Sequence, residues 1–261
     1  MAFTVHAVMP GVWHIVDCMG VCMTLLEGEN AAMLVDTGYG IEDVADFMRH
    51  MTDLPLTVFL THNHHDHAMG ARCFPETYML EADMADWRMF TNDEERRRVL
   101  TQAIGKNLPV DEKTFLAGEI PLPKVMKPGV IDLGGLTAEI IEAPGHTPGS
   151  AVVYVPERKL LLSGDDWNPC TWLFFPQALG LREYRSNMRG IQQLPFEKVL
   201  CPHREALYDR WMFDDFFNAL TDGNLRAAEP VNIAPYEQID TCQATLPHDQ
   251  VLVFDWAKSG L

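Results

Sequence analysis

No two cysteines in this sequence are spaced as CxxC, and the six present, at 18, 22, 73, 170, 201 and 242, are scattered over 261 residues. A chain of this length can bury a core without a disulfide framework, so the thiols are expected to be reduced. Cys201 then reads as a small buried hydrophobe. Basic residues are scarce too: 20 Lys and Arg against 37 Asp and Glu leave a net charge of −17. That balance argues against a nucleic-acid partner, because phosphate binding needs a basic face. No run approaches the roughly 18 apolar residues of a membrane span. The N-terminus lacks a basic stretch followed by an unbroken apolar one, so no export signal is expected. With no repeat and no Gly/Ser/Pro linker, the expectation is one domain over 1–261, cytoplasmic and without membrane contact. Its oligomeric state is open, a homodimer being one option.

What is present alternates strand and helix. "GVWHIVDC" and "CMTLLEGENAAMLVDTGYG" hold short β-favouring runs with EGEN as a hairpin turn. In "IEDVADFMRHM", Ile41, Val44, Phe47, Met48 and Met51 share a helical face. "LTVFLT" is a buried strand that runs into "THNHHDHAMG". A charged, Met- and aromatic-rich stretch from Ala82 to about Lys106 reads as a helical insertion. The strand pattern resumes from Val125, with PERK as a turn. A helix at Tyr184 to Gln193, a strand at "KVLCPH", a long helix from Glu205 to about Leu225 and a closing hairpin complete the expected elements.

The densest cluster of ligand-type residues is a run of histidines. His62, His64, Asp66 and His67 crowd six positions, with His65 between them. Neutral imidazole and carboxylate are good ligands for a divalent cation, and packing alone gains little from such crowding. Three further ligand types end buried strands: His146 in "EAPGHTPGS", Asp165 in "LLLSGDD" and His203 in "VLCPHRE". A lone histidine in a Gly/Pro turn, or a lone GDD, would ordinarily be just a turn. His6, His14, His50 and His248 are most simply surface or packing residues.

His62-x-His64-x-Asp66-His67 followed by His146, Asp165 and His203 resembles the dinuclear ligand set of the metallo-β-lactamase fold superfamily, over roughly Gly11 to Glu205. The resemblance implies an α/β (α+β) αββα sandwich with the metals at one edge. By it, His62, His64 and His146 hold one metal; Asp66, His67 and His203 hold the second; Asp165, rather than Asp166, bridges them. "CPHRE" departs from the family's usual Pro-Gly-His-Gly. Two divalent ions are implied, zinc first, with iron or manganese also compatible. The implied chemistry is hydrolysis of a small ester, thioester or lactone by a metal-bridging hydroxide, with Asp66 as the catalytic residue orienting it.

The superfamily also holds β-lactamases, phosphodiesterases, arylsulfatases, nucleases and persulfide dioxygenases, and fold does not choose among them. Lactonases resembling this chain carry a tyrosine where Asn168 stands. A mononuclear iron dioxygenase is the main alternative, and a complete second site argues against it. A binding protein that kept the metals has no support in the sequence. Met19, Trp87, Trp167 and Trp172 are expected to line a substrate pocket. The segments after Asp165 and around Cys18 carry apolar side chains without Arg or Lys, so a small-molecule substrate with an apolar body is expected over a phosphodiester or sulfate.

Overall fold

The computed structural model describes residues 3–261. Its first sheet is laid down in chain order: β1 (Thr4–Met9), β2 (Val12–Val16), β3 (Cys22–Glu27), β4 (Ala32–Val35), β5 (Leu56–Phe59), β6 (Tyr78–Met79) and β7 (Lys124–Val125). The first four strands pair antiparallel through tight turns, EGEN joining β3 to β4. From β4 onward the pairing is parallel, which requires crossovers. The first crossover is α1 (Val44–Met51), opened by the Asp43 carboxylate accepting from the Asp46 amide. That cap places Ile41 outside the helix, where it packs with Met69 and Trp87. Directly after β5 comes the single turn α2 (His65–Ala68).

The helical insertion is present and runs past its expected end. It comprises α3 (Trp87–Thr91), α4 (Asp93–Gly105) and α5 (Glu112–Phe115). Asn92 caps α4, and Asp93, Glu94 and Glu95 in its first turn suit the positive end of the helix dipole. Arg96, fully buried, ties α4 to the following segment by donating to the Gly118 carbonyl at 2.6 Å.

The second half forms β8 (Gly129–Asp132), β9 (Thr137–Glu142), β10 (Ala151–Val155), β11 (Leu160–Leu162), β12 (Cys170–Leu173), α6 (Leu181–Ile191), β13 (Lys198–Leu200), β14 (Tyr208–Asp209), α7 (Arg210–Ala219), α8 (Asp222–Arg226), β15 (Glu229–Pro230), β16 (Thr241–Leu246) and β17 (Gln250–Asp255). These make a second sheet ordered β14-β13-β11-β10-β9-β8 and a third ordered β12-β17-β16-β15. The long helix expected from Glu205 to Leu225 does not exist as one element. Tyr208 pairs with Val199 in the sheet, and Thr221 caps a separate helix by accepting from the Asn224 amide. The uncharged "CTWL" run is likewise a strand, held parallel to β17.

Alternation along β10 shows the layering. Val153 and Val155 point at Met33, Val35 and Phe59 of the first sheet, whereas Val152 and Tyr154 point at Tyr184, Met188 and Phe213 beneath α6 and α7. On the outer face of the first sheet, Leu34 and Val58 pack on Val44 and Met48 of α1. The result is an α-β-β-α sandwich whose two inner faces bury one apolar layer. At about 25 cal/mol per Å² of apolar surface, that layer is the principal term holding the sheets face to face.

Candidate metal centre

Every ligand-type residue singled out from the sequence lies where a strand has just ended. His62 stands three residues past β5, and α2 then carries Asp66 and His67. His146 occupies the turn between β9 and β10, Asp165 a tight turn after β11, and His203 the loop after β13. Gly164 makes the turn to Asp165 with φ +51; a Cβ there would meet the Ala151 carbonyl at 3.2 Å and Thr61 at 3.3 Å. The sandwich edge gathers these loops into one spot.

Asp165 is at the centre. Its Oδ2 lies 3.0 Å from His203 Nε2, 3.5 Å from His67 Nε2, 3.5 Å from His146 Nε2 and 4.0 Å from His62 Nε2. Around it the ligand atoms of His62, His64 and His146 come within 4.8 Å of one another, and so do those of Asp66, His67 and His203. A third trio, His62, His67 and Asp165, links the two. Asp66 Oδ2 stands 3.6 Å from His67 Nε2 and 3.7 Å from His203 Nε2. Asp166 turns away, accepting from the His146 amide at 3.0 Å.

Whether these residues suit a cation can be judged from their unmet bonds. His62 Nε2, His67 Nε2 and Asp165 Oδ1 are buried and have no hydrogen-bond partner. Leaving a buried polar group unpaired costs roughly 1–3 kcal/mol. His62 Nε2 and His67 Nε2, unpartnered and both within 4.0 Å of Asp165 Oδ2, fit a cation. Supporting bonds orient the rings. His146 Nδ1 donates to the Trp172 carbonyl at 2.6 Å, leaving Nε2 free of its proton. His67 Nδ1 is 3.0 Å from the buried Asp36 carboxylate, which also accepts from the Thr61 amide at 2.7 Å. Gln177 Nε2 meets His64 Nε2 at 2.6 Å.

Electrostatically the cluster is split. Burial, reinforced by neighbouring imidazoles, holds His62 and His64 well below the ordinary histidine range, and burial also lowers His146. Burial opposes charge on His67 and His203 as well, yet Asp165 and Asp66 outweigh it and raise both. Burial would raise Asp66 too, but His67, His65 and His203 bring it down to about 2.

Above the cluster opens a cavity of about 490 Å³. Of the expected pocket residues, Trp172 lines it, 38% exposed. The other three do not. Trp87 is fully buried among Leu60, Met69 and Val99, because the inner side of the insertion serves as its docking face. Trp167 is fully buried against Tyr208 and Phe213, its indole donating to Gln250 at 3.2 Å. Met19 sits in the same core as Trp87. The wall is instead completed by Tyr39, Phe90, Arg98, Phe175, Arg204 and Tyr236. Phe90 and Phe175 had a signal, each standing in an aromatic run already noted. Arg98 and Arg204 had none; they lie outside the two segments that carry no Arg or Lys and bring cations to the cavity from elsewhere.

The chain belongs to the metallo-beta-lactamase superfamily, whose sequence profile matches residues 16–203. An acyl-coenzyme A thioesterase, MBLAC2, of Gallus gallus is 26% identical over 198 residues, 69% of this chain and 70% of that protein. A hydroxyacylglutathione hydrolase of Bartonella tribocorum (strain CIP 105476 / IBS 506) is 26% identical over 150 residues, 56% of this chain and 48% of that protein. Among solved structures, a metallo-beta-lactamase from Pontibacter korlensis superposes with a TM-score of 0.59 at 17% identity, covering 83% of this chain and 97% of that one. At that identity the likeness is one of fold.

Proposed function

We propose that this protein is a metal-dependent hydrolase that cleaves an ester or thioester bond in a small molecule, a lactone being the cyclic case of the same chemistry. The observation that carries this reading is the convergence of His62, His64, Asp66, His67, His146, Asp165 and His203, with unpartnered buried atoms, at the floor of an open cavity. His62, His64 and His146 would hold one divalent cation and Asp66, His67 and His203 a second, with Asp165 placed between the two trios; zinc is the proposed metal. Such ions supply Lewis acidity, lowering the pKa of a water toward neutrality and polarising a carbonyl oxygen.

The chain's own groups do the rest. Burial keeps the first three imidazoles neutral, so their lone pairs are available. Asp66, held ionised between His67 and His203, would orient the attacking water. Phe90 and Phe175 give the scissile group an apolar seat. A thioester as one of the bonds attacked is supported by the likeness to an acyl-coenzyme A thioesterase. A mononuclear iron dioxygenase would need only the first trio and Asp165, and the second trio favours hydrolysis. The test is metal content together with turnover on matched esters, thioesters and lactones. Two equivalents and hydrolysis are expected; one equivalent of iron, with oxygen uptake on a persulfide and no hydrolysis, overturns the reading.

A further inference from the structure

The two halves of the cavity wall differ in chemistry. Over His64 and His146 the wall is aromatic. The ring centroids of Phe90 and Phe175 lie 4.4 and 4.7 Å from that of His64, and Phe175 stands 5.4 Å from His146. Trp172 extends this face 6.2 Å beyond Phe175. Beside Asp66 and His203 the wall is cationic. Arg204 directly follows His203 and donates through Nη1 to its carbonyl at 2.8 Å. Among the described residues no carboxylate pairs with it within 4.0 Å. Arg98, reaching in from α4, brings Nη2 to 3.3 Å from the ring of His65, next to Asp66. Its Nε and Nη2 donate to Glu95 at 2.9 and 2.7 Å, so Arg98 is partly neutralised and Arg204 is the stronger cation.

The lining is selective against acids: among the described residues its carboxylates are Asp66 and Asp165, both in the candidate cluster. In a chain of net charge −17 an anion is repelled at long range, and surface charge acts only over about 8–10 Å in physiological salt. Two arginines at the rim of one cavity therefore act locally, on a group already docking there. A guanidinium pairs with carboxylate or phosphate through directed, charge-assisted hydrogen bonds.

We infer that the substrate is amphiphilic across its scissile bond: an apolar group against Phe90, Trp172 and Phe175, and an anion, carboxylate or phosphate, held by Arg204 with Arg98. This rests on the hydrolase reading for the bond cleaved, and refines which molecules carry it. The polarity runs along the line from His64 to His203, so it also sets the direction in which the substrate lies.

The experiment uses the metal-loaded protein and uncleavable thioethers that share one aromatic group and differ in the other arm: a neutral amide, a carboxylate or a phosphate. Binding is followed by tryptophan emission, with Trp172→Phe identifying the reporter. The anionic thioethers should bind about tenfold more tightly than the neutral one at low salt, as charge-assisted bonds give. That ratio should collapse in the Arg98→Ala/Arg204→Ala double variant and shrink in high salt; Arg204→Ala alone, altering an exposed side chain, should lower it without disturbing the fold. The carboxylate and phosphate arms separate the two sources of anion. Equal affinity for neutral and anionic arms, or a preference that survives the double variant, overturns the inference. The matching thioesters test the hydrolase reading separately. Cleavage of all of them at one kcat/KM leaves the hydrolase and removes the anion subsite; discrimination among thioethers with no thioester cleaved does the reverse.

Discussion

Asp83 Oδ2 accepts a 2.7 Å hydrogen bond from Thr147 Oγ1, joining the entrance of the helical insertion to the turn that carries His146. The same carboxylate accepts from the Gly149 amide at 2.6 Å and the Asn63 amide at 3.2 Å, and Asn63 lies between His62 and His64. One buried side chain thus holds both loops of the first trio. A Cβ at Gly149 would approach Asp83 to 2.6 Å, so the fit leaves no room for another residue there.

Asp83→Ala is expected to leave these donors unpaired at roughly 1–3 kcal/mol each, and to lower affinity for the first-site metal by about 10- to 100-fold, as loss of an orienting partner does. Competition with a chromophoric chelator would show it. Retention of both metals at wild-type affinity removes Asp83 from this role.

Asp165 and His203 should behave differently. Asp165 Oδ2 lies within 4.0 Å of imidazoles from both trios, whereas His203 joins only the second. Asp165→Ala is expected to lose both metals and all turnover, and His203→Ala mainly one metal. Elemental analysis of the purified variants decides it; two equivalents retained in Asp165→Ala would transfer the bridging role elsewhere.

Trp87 and Trp172 stand in different surroundings. Trp87 is fully buried, so Trp87→Ala should cost about 3–5 kcal/mol through the cavity it leaves. Trp172 is 38% exposed on the cavity wall, so Trp172→Ala should raise KM several-fold with little change in stability. Denaturant midpoints and steady-state kinetics on both variants provide the comparison, and a Trp87 variant of unchanged stability would contradict its place in the core.

Removing metal should destabilise the fold. Ligands that bind only the native state add about 2.7 kcal/mol at a hundredfold excess over Kd, or about 5–10 °C in melting temperature for a chain of this size. Scanning fluorimetry with a chelator, then with metal restored, reads this directly. A melting temperature indifferent to both additions means that the cluster holds no stabilising metal.

The site was legible in the sequence because its strongest signal is local. His62, His64, Asp66 and His67 sit at a strand end and on the single helical turn that follows, so six positions announce one centre. His146, Asp165 and His203 could be added because each ends an apolar strand, and parallel or antiparallel neighbours bring such ends to one edge. What stayed hidden depends on long-range contact. Periodicity says that Trp87 and Phe90 share the insertion, but only docking buries the first in the core and sets the second 4.4 Å from His64. Spacing could not show that Tyr208 would be drawn into the sheet by Val199, breaking a helical pattern. Nor could it find Asp83, Gln177, Arg98 or Arg204, which are ordinary polar residues until the chain folds. Their roles arise from partners between 20 and 113 positions away, or from the cavity they rim, and the packed sandwich alone chooses those neighbours.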